Sequence, residues 1–133
     1  MRAELVGLVA DKDIEAALDA LLGRRYRALG IREIAYQLYR HPQHDPGCLH
    51  TGAELLAGLI GAAQDARGLL VFDHAFDGNP HDTAAATEAA VREELKKKGL
   101  AGRAEVVVIE PEIETWIFSG SPLLEFPSRG ARI

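Results

Sequence analysis

The sequence predicts an α/β domain: a four-stranded, mostly parallel sheet flanked by helices in three layers. Three observations lead there. Four short apolar runs, at residues 4–10, 31–39, 68–73 and 104–109, have the length and composition of strands. The stretches between them repeat apolar residues with a helical period. The third run, GLLVFD, has no polar alternation before its acid, as expected of a parallel strand buried on both faces. Strands separated by helices must cross over, and right-handed crossovers put helices on both faces of the sheet.

The first run, ELVGLVA (Glu4 to Ala10), is apolar and strand-like apart from Gly7. A helix follows, with Ile14, Ala17, Leu18, Leu21 and Leu22 on one face; Asp11 or Asp13 can cap its start and Gly23 its end. IREIAYQLY (Ile31 to Tyr39) alternates like a half-buried or edge strand. HPQHDPGCLHTG reads as a loop, because two prolines and two glycines interrupt any regular element. A second helix is expected from about Thr51 to Arg67, with Leu55, Leu56, Leu59, Ile60 and Ala63 facing inward. After the buried strand ending at Asp73 comes a polar loop. A third helix begins at Asp82 or Thr83 and ends in Lys96, Lys97, Lys98 and Gly99, cations that suit a helix C-terminus. AEVVVI (Ala104 to Ile109) is the fourth strand, and a last helix is expected to start at Glu110-Pro111-Glu112, packed by Ile113, Trp116 and Ile117. Residues 1–122 form one domain; residues 123–133 show no period and read as an irregular tail.

Composition narrows the function. A hydrophobic content of 47% argues against disorder, and a net charge of −5 argues against a protein that coats nucleic acid by charge alone. A nuclease with an acidic metal site stays open. The lone Cys48 allows no internal disulfide and fits a reducing compartment. The apolar part of the N-terminus is too short for a signal peptide or a membrane span, and no stretch approaches about 18 uninterrupted apolar residues.

In an open parallel sheet, sites form at the carboxyl ends of the strands. The first strand ends before Asp11 and Asp13, the third at Asp73 with Asp77 four residues on, and the fourth at Glu110 with Glu112 beyond. Three acidic strand ends on one edge would suit a hard cation such as Mg²⁺ or Mn²⁺, which prefers oxygen ligands. Each acid also has a plain structural reading: Asp11, Asp13 and Asp82 as caps, Glu110 and Glu112 in a first helical turn, Glu114 as a solvated group. The histidine-rich segment offers His41, His44, Cys48 and His50, zinc-type ligands whose H-x2-H-x3-C-x-H spacing departs from the common structural modules. Three readings remain: a zinc site, a turn with Cys48 and Leu49 tucked beneath it, or His41 or His44 as a general base or phosphate contact. His74, directly after Asp73, is a further ligand or proton-shuttle candidate. The basic residues Arg24, Arg25, Arg27 and Arg32 could meet phosphates, although such runs are more often solvated. The chain has no GxGxxG, Walker, GxSxG or CxxC motif.

LVADKDIEAAL, HPQHDPGCL, LLVFDHAFDG and VVIEPEIETWIFSGSP together resemble the small Toprim-like bacterial proteins whose last strand leads into an E-x-E-x-W helix. Within them, the chain looks like a protein component of methylation-associated phage-defence systems. The resemblance spans the chain to about Pro122. It implies a Toprim/Rossmann-like sheet domain that binds Mg²⁺ or Mn²⁺ and cuts or joins phosphodiester bonds. It also implies a bacterial cytoplasmic setting, nucleic acid or other defence-system proteins as partners, no membrane, and a homodimer as one assembly. In the Toprim pattern a glutamate after the first strand serves as acid or base, and a D-x-D after a later strand holds metal. Here those places carry Ala10-Asp11 and Asp73-x3-Asp77. Carried over residue by residue, the resemblance makes Asp11 the acid/base candidate and Asp73 and Asp77 metal ligands; the acidic end of the fourth strand adds Glu110 as a second catalytic candidate and Glu112 as a further ligand. The alternative it leaves is an inactive scaffold acting as a subunit or sensor in a defence complex.

Overall fold

The computed structural model describes residues 3–61 and 65–110. Over these residues the elements alternate without exception: β1 (Leu5–Val9), α1 (Lys12–Gly23), β2 (Tyr36–Arg40), α2 (His44–Gly61), β3 (Arg67–Asp73), α3 (Ala84–Lys97) and β4 (Ala104–Ile109). The sheet is parallel throughout, in the order β2-β1-β3-β4. α2 packs on β1 and β3, α3 packs on β4 and against α2, and α1 covers β1 and β2 from the other face. No described helix is long and apolar enough to cross a membrane. The last expected helix, with Glu112, Ile113, Glu114, Trp116 and Ile117, and the expected tail lie outside the described residues, as does Ala63.

Period-two alternation divides the core in two. Val6, Leu8, Leu70, Phe72 and Val106 point to α2 and α3 and meet Cys48, Leu56, Ile60, Val91 and Leu95. Val9, Val71 and Ile109 point the other way, with Ile14 and Leu18 of α1 against them. Leu8, Leu56, Leu70 and Phe72 are 0% exposed, so the larger half of the core lies beneath α2. Both faces of β3 are apolar for this reason, which explains the unbroken run GLLVFD.

α1 starts where expected: Asp11 is its N-cap, and its Oδ1 accepts from Ile14 N at 2.9 Å. α3 is capped by Thr83, whose Oγ1 accepts from Ala86 N at 3.0 Å. β2 is shorter than its alternation suggests. Residues 31–35 stay out of the ladder because the Glu4 carboxylate binds Arg32 in two bonds, at 3.1 and 3.0 Å, and accepts from Ala35 N. Those bonds hold the lead-in, and Arg32 keeps the Glu4 carboxyl below its ordinary range.

The main correction concerns the expected loop at 41–52. Only its first residues turn; α2 begins at His44 and runs straight through Gly47 and Gly52. Pro46 lies in the first helical turn, where a missing N–H removes no helical bond. The two glycines are there for space. A Cβ on Gly47 would run into the His41 ring, and one on Gly52 would stand 2.9 Å from Leu70. The earlier start also shifts the buried stripe to Cys48, Leu49, Gly52, Ala53, Leu56 and Ile60. Leu55, expected inside, is 37% exposed, and Ala17 of α1 is likewise exposed.

Candidate functional site

The strand order fixes where a site belongs. From β1 the chain crosses to β2 on one side, then returns over β1 to β3 on the other. The connections leaving β1 and β3 therefore part at their carboxyl ends, and ligands of open α/β sheets bind in the crevice that results. β1 and β3 are in register, with Val9 beside Val71, so Asp11 and Asp73 each stand two residues beyond a matched pair.

The start of α2 closes this crevice from above. His44 has φ 59, a left-handed conformation, and its Nδ1 lies 3.0 Å from the Ala10 carbonyl oxygen at the end of β1. Asp45 follows, and its Oδ1 accepts from Asp73 N at 2.8 Å at the end of β3. Three acids from three elements thus gather at the switch point. Burial pushes the Asp45 carboxyl above its ordinary value, the Asp73 N–H opposes this, and the charges of Asp73 and Asp11 push it up again. Asp11 Oδ1 accepts from Ile14 N, and Asp73 Oδ1 accepts from Ala75 N at 2.8 Å. The second oxygen of each of the three carboxylates has no bond among the described residues.

Of the residues singled out in the sequence, Asp11 and Asp73 meet at this point. Asp77 does not join them: it is exposed in a turn closed by Asn79 N to the Phe76 carbonyl at 3.3 Å, with Gly78 at φ 89. Glu110 is exposed on the same edge one strand over, just past Ile109, the register partner of Asp73. Glu112 lies outside the described residues. Among the described residues no group of three or more His, Cys, Asp or Glu is placed to hold a metal ion. From the two strand ends they offer a cation two free carboxylate oxygens, those of Asp11 and Asp73. Mg²⁺ commonly takes that many from a protein and completes its shell with water and phosphate.

The zinc-type residues separate. Cys48 is 0% exposed on the inner face of α2, its thiol pushed up to about 12 by burial and then by the charges of Asp45 and Asp11. His50 faces solvent. His41 is 3% exposed and fully engaged: its Nδ1 accepts from Gln43 N at 3.1 Å, so Nε2 carries the proton and donates to Thr51 Oγ1 at 2.8 Å. The Thr51 hydroxyl passes its own proton to the Gly47 carbonyl at 3.2 Å. His74 belongs to a second network. Its Nδ1 lies 3.0 Å from Thr87 Oγ1, which donates to the Thr83 carbonyl, while Asn79 Nδ2 donates to the His74 carbonyl at 2.9 Å. That network fastens the loop after β3 to the start of α3.

Asp45 is the site residue that sequence reading passed over. Its signal was an acid in Asp45-Pro46 at a strand-to-helix junction, hidden because the segment looked like loop. The basic residues fall elsewhere: Arg24, Arg25 and Arg27 follow the end of α1 and Lys96 to Lys98 end α3, which places both groups at the amino edge of the sheet. No protein-family model, no curated protein and no solved structure matches the chain significantly.

Proposed function

We propose that the chain is a Toprim-like phosphodiesterase of the bacterial cytoplasm, acting on nucleic acid within a defence system, with its centre at the β1/β3 switch point. The observation that carries this reading is the meeting of Asp11, Asp45 and Asp73, each with a free carboxylate oxygen, in the crevice where open α/β sheets bind ligands. A bound Mg²⁺ or Mn²⁺ would offset the acidic charge and make water a better nucleophile. Asp73 and Asp11 present the free oxygens for it from two adjacent strand ends. Asp45 fixes the Asp73 backbone and thereby the direction of that carboxylate. Glu110 stands at the border of the crevice, where it can orient substrate.

The test is cleavage of plasmid, single-stranded DNA and RNA with Mg²⁺ or Mn²⁺, comparing wild type with Asp73→Ala. Cleavage lost in Asp73→Ala supports the reading. Cleavage by wild type that Asp73→Ala leaves intact sinks it.

A second reading has its own support. Each of the three acids spends one oxygen on a backbone N–H, as a structural cap would, and the described residues form no three-ligand metal group. On this reading the chain is an inactive Toprim-like scaffold that works as a subunit, with a second copy or other defence proteins as partners. It requires that pure wild-type protein cut none of the three substrates and that Asp73→Ala leave assembly with its partner unchanged.

A further inference from the structure

His44 has a geometry that its role as a helix-start residue does not require. It is the one non-glycine residue with positive φ among the described residues. Histidine tolerates that conformation better than most side chains, yet it costs energy and persists only where the surroundings enforce it. Here it turns the ring back over the end of β1, where Nδ1 meets the Ala10 carbonyl at 3.0 Å. A carbonyl oxygen only accepts, so Nδ1 must carry the proton. In the neutral ring the lone pair is then on Nε2. That nitrogen has no partner among the described residues, and the residue is solvent-exposed. His41, three residues earlier, is the opposite case: both nitrogens are engaged and the ring is buried.

We propose that His44 Nε2 is the proton acceptor for the attacking water at the switch point. The proposal rests on the phosphodiesterase reading and deepens it. The water oxygen forms its bond to phosphorus as one of its protons passes to Nε2. The ester P–O bond breaks, and the leaving oxygen takes a proton from solvent. The imidazolium so formed neighbours the Asp45 carboxyl. Imidazole is the side chain most often used for such a proton transfer. The Ala10 bond holds the reactive tautomer in place, as a carboxylate or carbonyl behind a catalytic histidine commonly does.

The experiment uses the full chain. ¹⁵N-labelled protein is first examined by NMR for the neutral His44 tautomer, and a proton on Nε2 instead of Nδ1 overturns the proposal. Cleavage of plasmid, single-stranded DNA and RNA is then compared for wild type, His44→Gly and His44→Asn. Both replacements tolerate the left-handed backbone, and the asparagine amide can still donate to Ala10. Each variant is expected to cut on the order of 100-fold more slowly or worse, in line with the loss of a general base. Free imidazole is expected to restore His44→Gly, where the space of the side chain is left open, and not His44→Asn, where the amide fills part of it. Wild-type rates in His44→Asn overturn the proposal, as does a folded His44→Gly that imidazole does not accelerate. If His44→Gly fails to fold, the rate of His44→Asn decides. An active wild type with an unaffected His44→Asn leaves the phosphodiesterase standing and removes only this role. A wild type inactive on all three substrates removes both.

Discussion

Two titratable side chains beside the switch point respond to acid in opposite directions. His41 is held neutral by burial and by the neighbouring His44, which lowers its proton affinity below the ordinary 6.5. The folded state therefore binds fewer protons than the unfolded state. The His41 contribution is complete above about pH 6.5 and is lost as pH falls through the depressed value. Melting curves across pH 5 to 8, for wild type and His41→Ala, should show wild-type stability falling on the acid side and the variant lacking that slope. At neutral pH His41→Ala should cost about 1–3 kcal/mol, because the Gln43 N–H loses its acceptor. Asp45 behaves in the reverse sense. Its carboxyl is raised in the folded state, so its stabilising contribution belongs to acid and is lost as pH rises through the raised value. Asp45→Asn keeps an oxygen for Asp73 N and removes the charge that Asp73 and Asp11 oppose. It should raise the melting temperature near neutrality and change it little near pH 3, as differential scanning calorimetry would measure. Single residues of this kind were legible only where the partner is close in sequence. Asp11 could be read as a cap because Ile14 is three residues away. His44 could be named as a candidate base, but its partner and that of Asp45 could not be read, because they lie 34 and 28 residues away and meet them only through the register of β1 with β3.

At the level of elements, β1, β3, β4, α1 and α3 follow the apolar pattern to within a residue or two. The start of α2 does not, and the reason is that proline and glycine have two meanings. They break a helix by what they lack, but in a first turn or under a neighbouring side chain the same lack is what packing needs. Alanine substitutions along α2 separate the two meanings. Gly58 has open space where a Cβ would go, so Gly58→Ala should stabilise by about 0.5–1 kcal/mol through helix propensity. Gly47→Ala and Gly52→Ala gain the same propensity but drive a methyl into His41 or Leu70, and both should lower stability. Urea titrations of the three variants would check the order; equal effects at all three sites would remove the packing account. Gly23, the last residue of α1, is tied to its neighbour in a related way. A Cβ on Gly23 would meet the Tyr36 hydroxyl, which donates to Asp19 at 2.6 Å and is pushed up to about 12 by that bond.

Across the whole molecule, alternation of strand and helix was enough to foresee a parallel sheet with two covered faces. It was not enough to give the order β2-β1-β3-β4, because the apolar runs do not say which strand returns past which. The switch point, and with it the pairing of Asp11 with Asp73, follows from that order. The uneven split of the core carries its own prediction. Phe72, at 0% exposure beneath α2 and α3, should cost about 3–5 kcal/mol when replaced by alanine. Leu69, on the opposite face of the same strand and only partly buried, should cost clearly less. Chemical denaturation of Phe72→Ala and Leu69→Ala measures the difference directly, and equal losses would mean that the two faces share the core evenly.

The central position of β1 has a consequence for how the protein is born. Of the four strands of this sheet, the one made before the others needs neighbours on both sides: Leu8 pairs with Tyr39 on one edge and with Leu70 on the other. On a translating ribosome β2 emerges soon enough to satisfy the first edge, but the second waits until β3 has left the exit tunnel. At ordinary elongation speeds that interval lasts seconds. Throughout it the nascent chain presents an open ribbon of N–H and C=O groups beside Leu8 and Val9, and this is the stage at which a chaperone has most to shield.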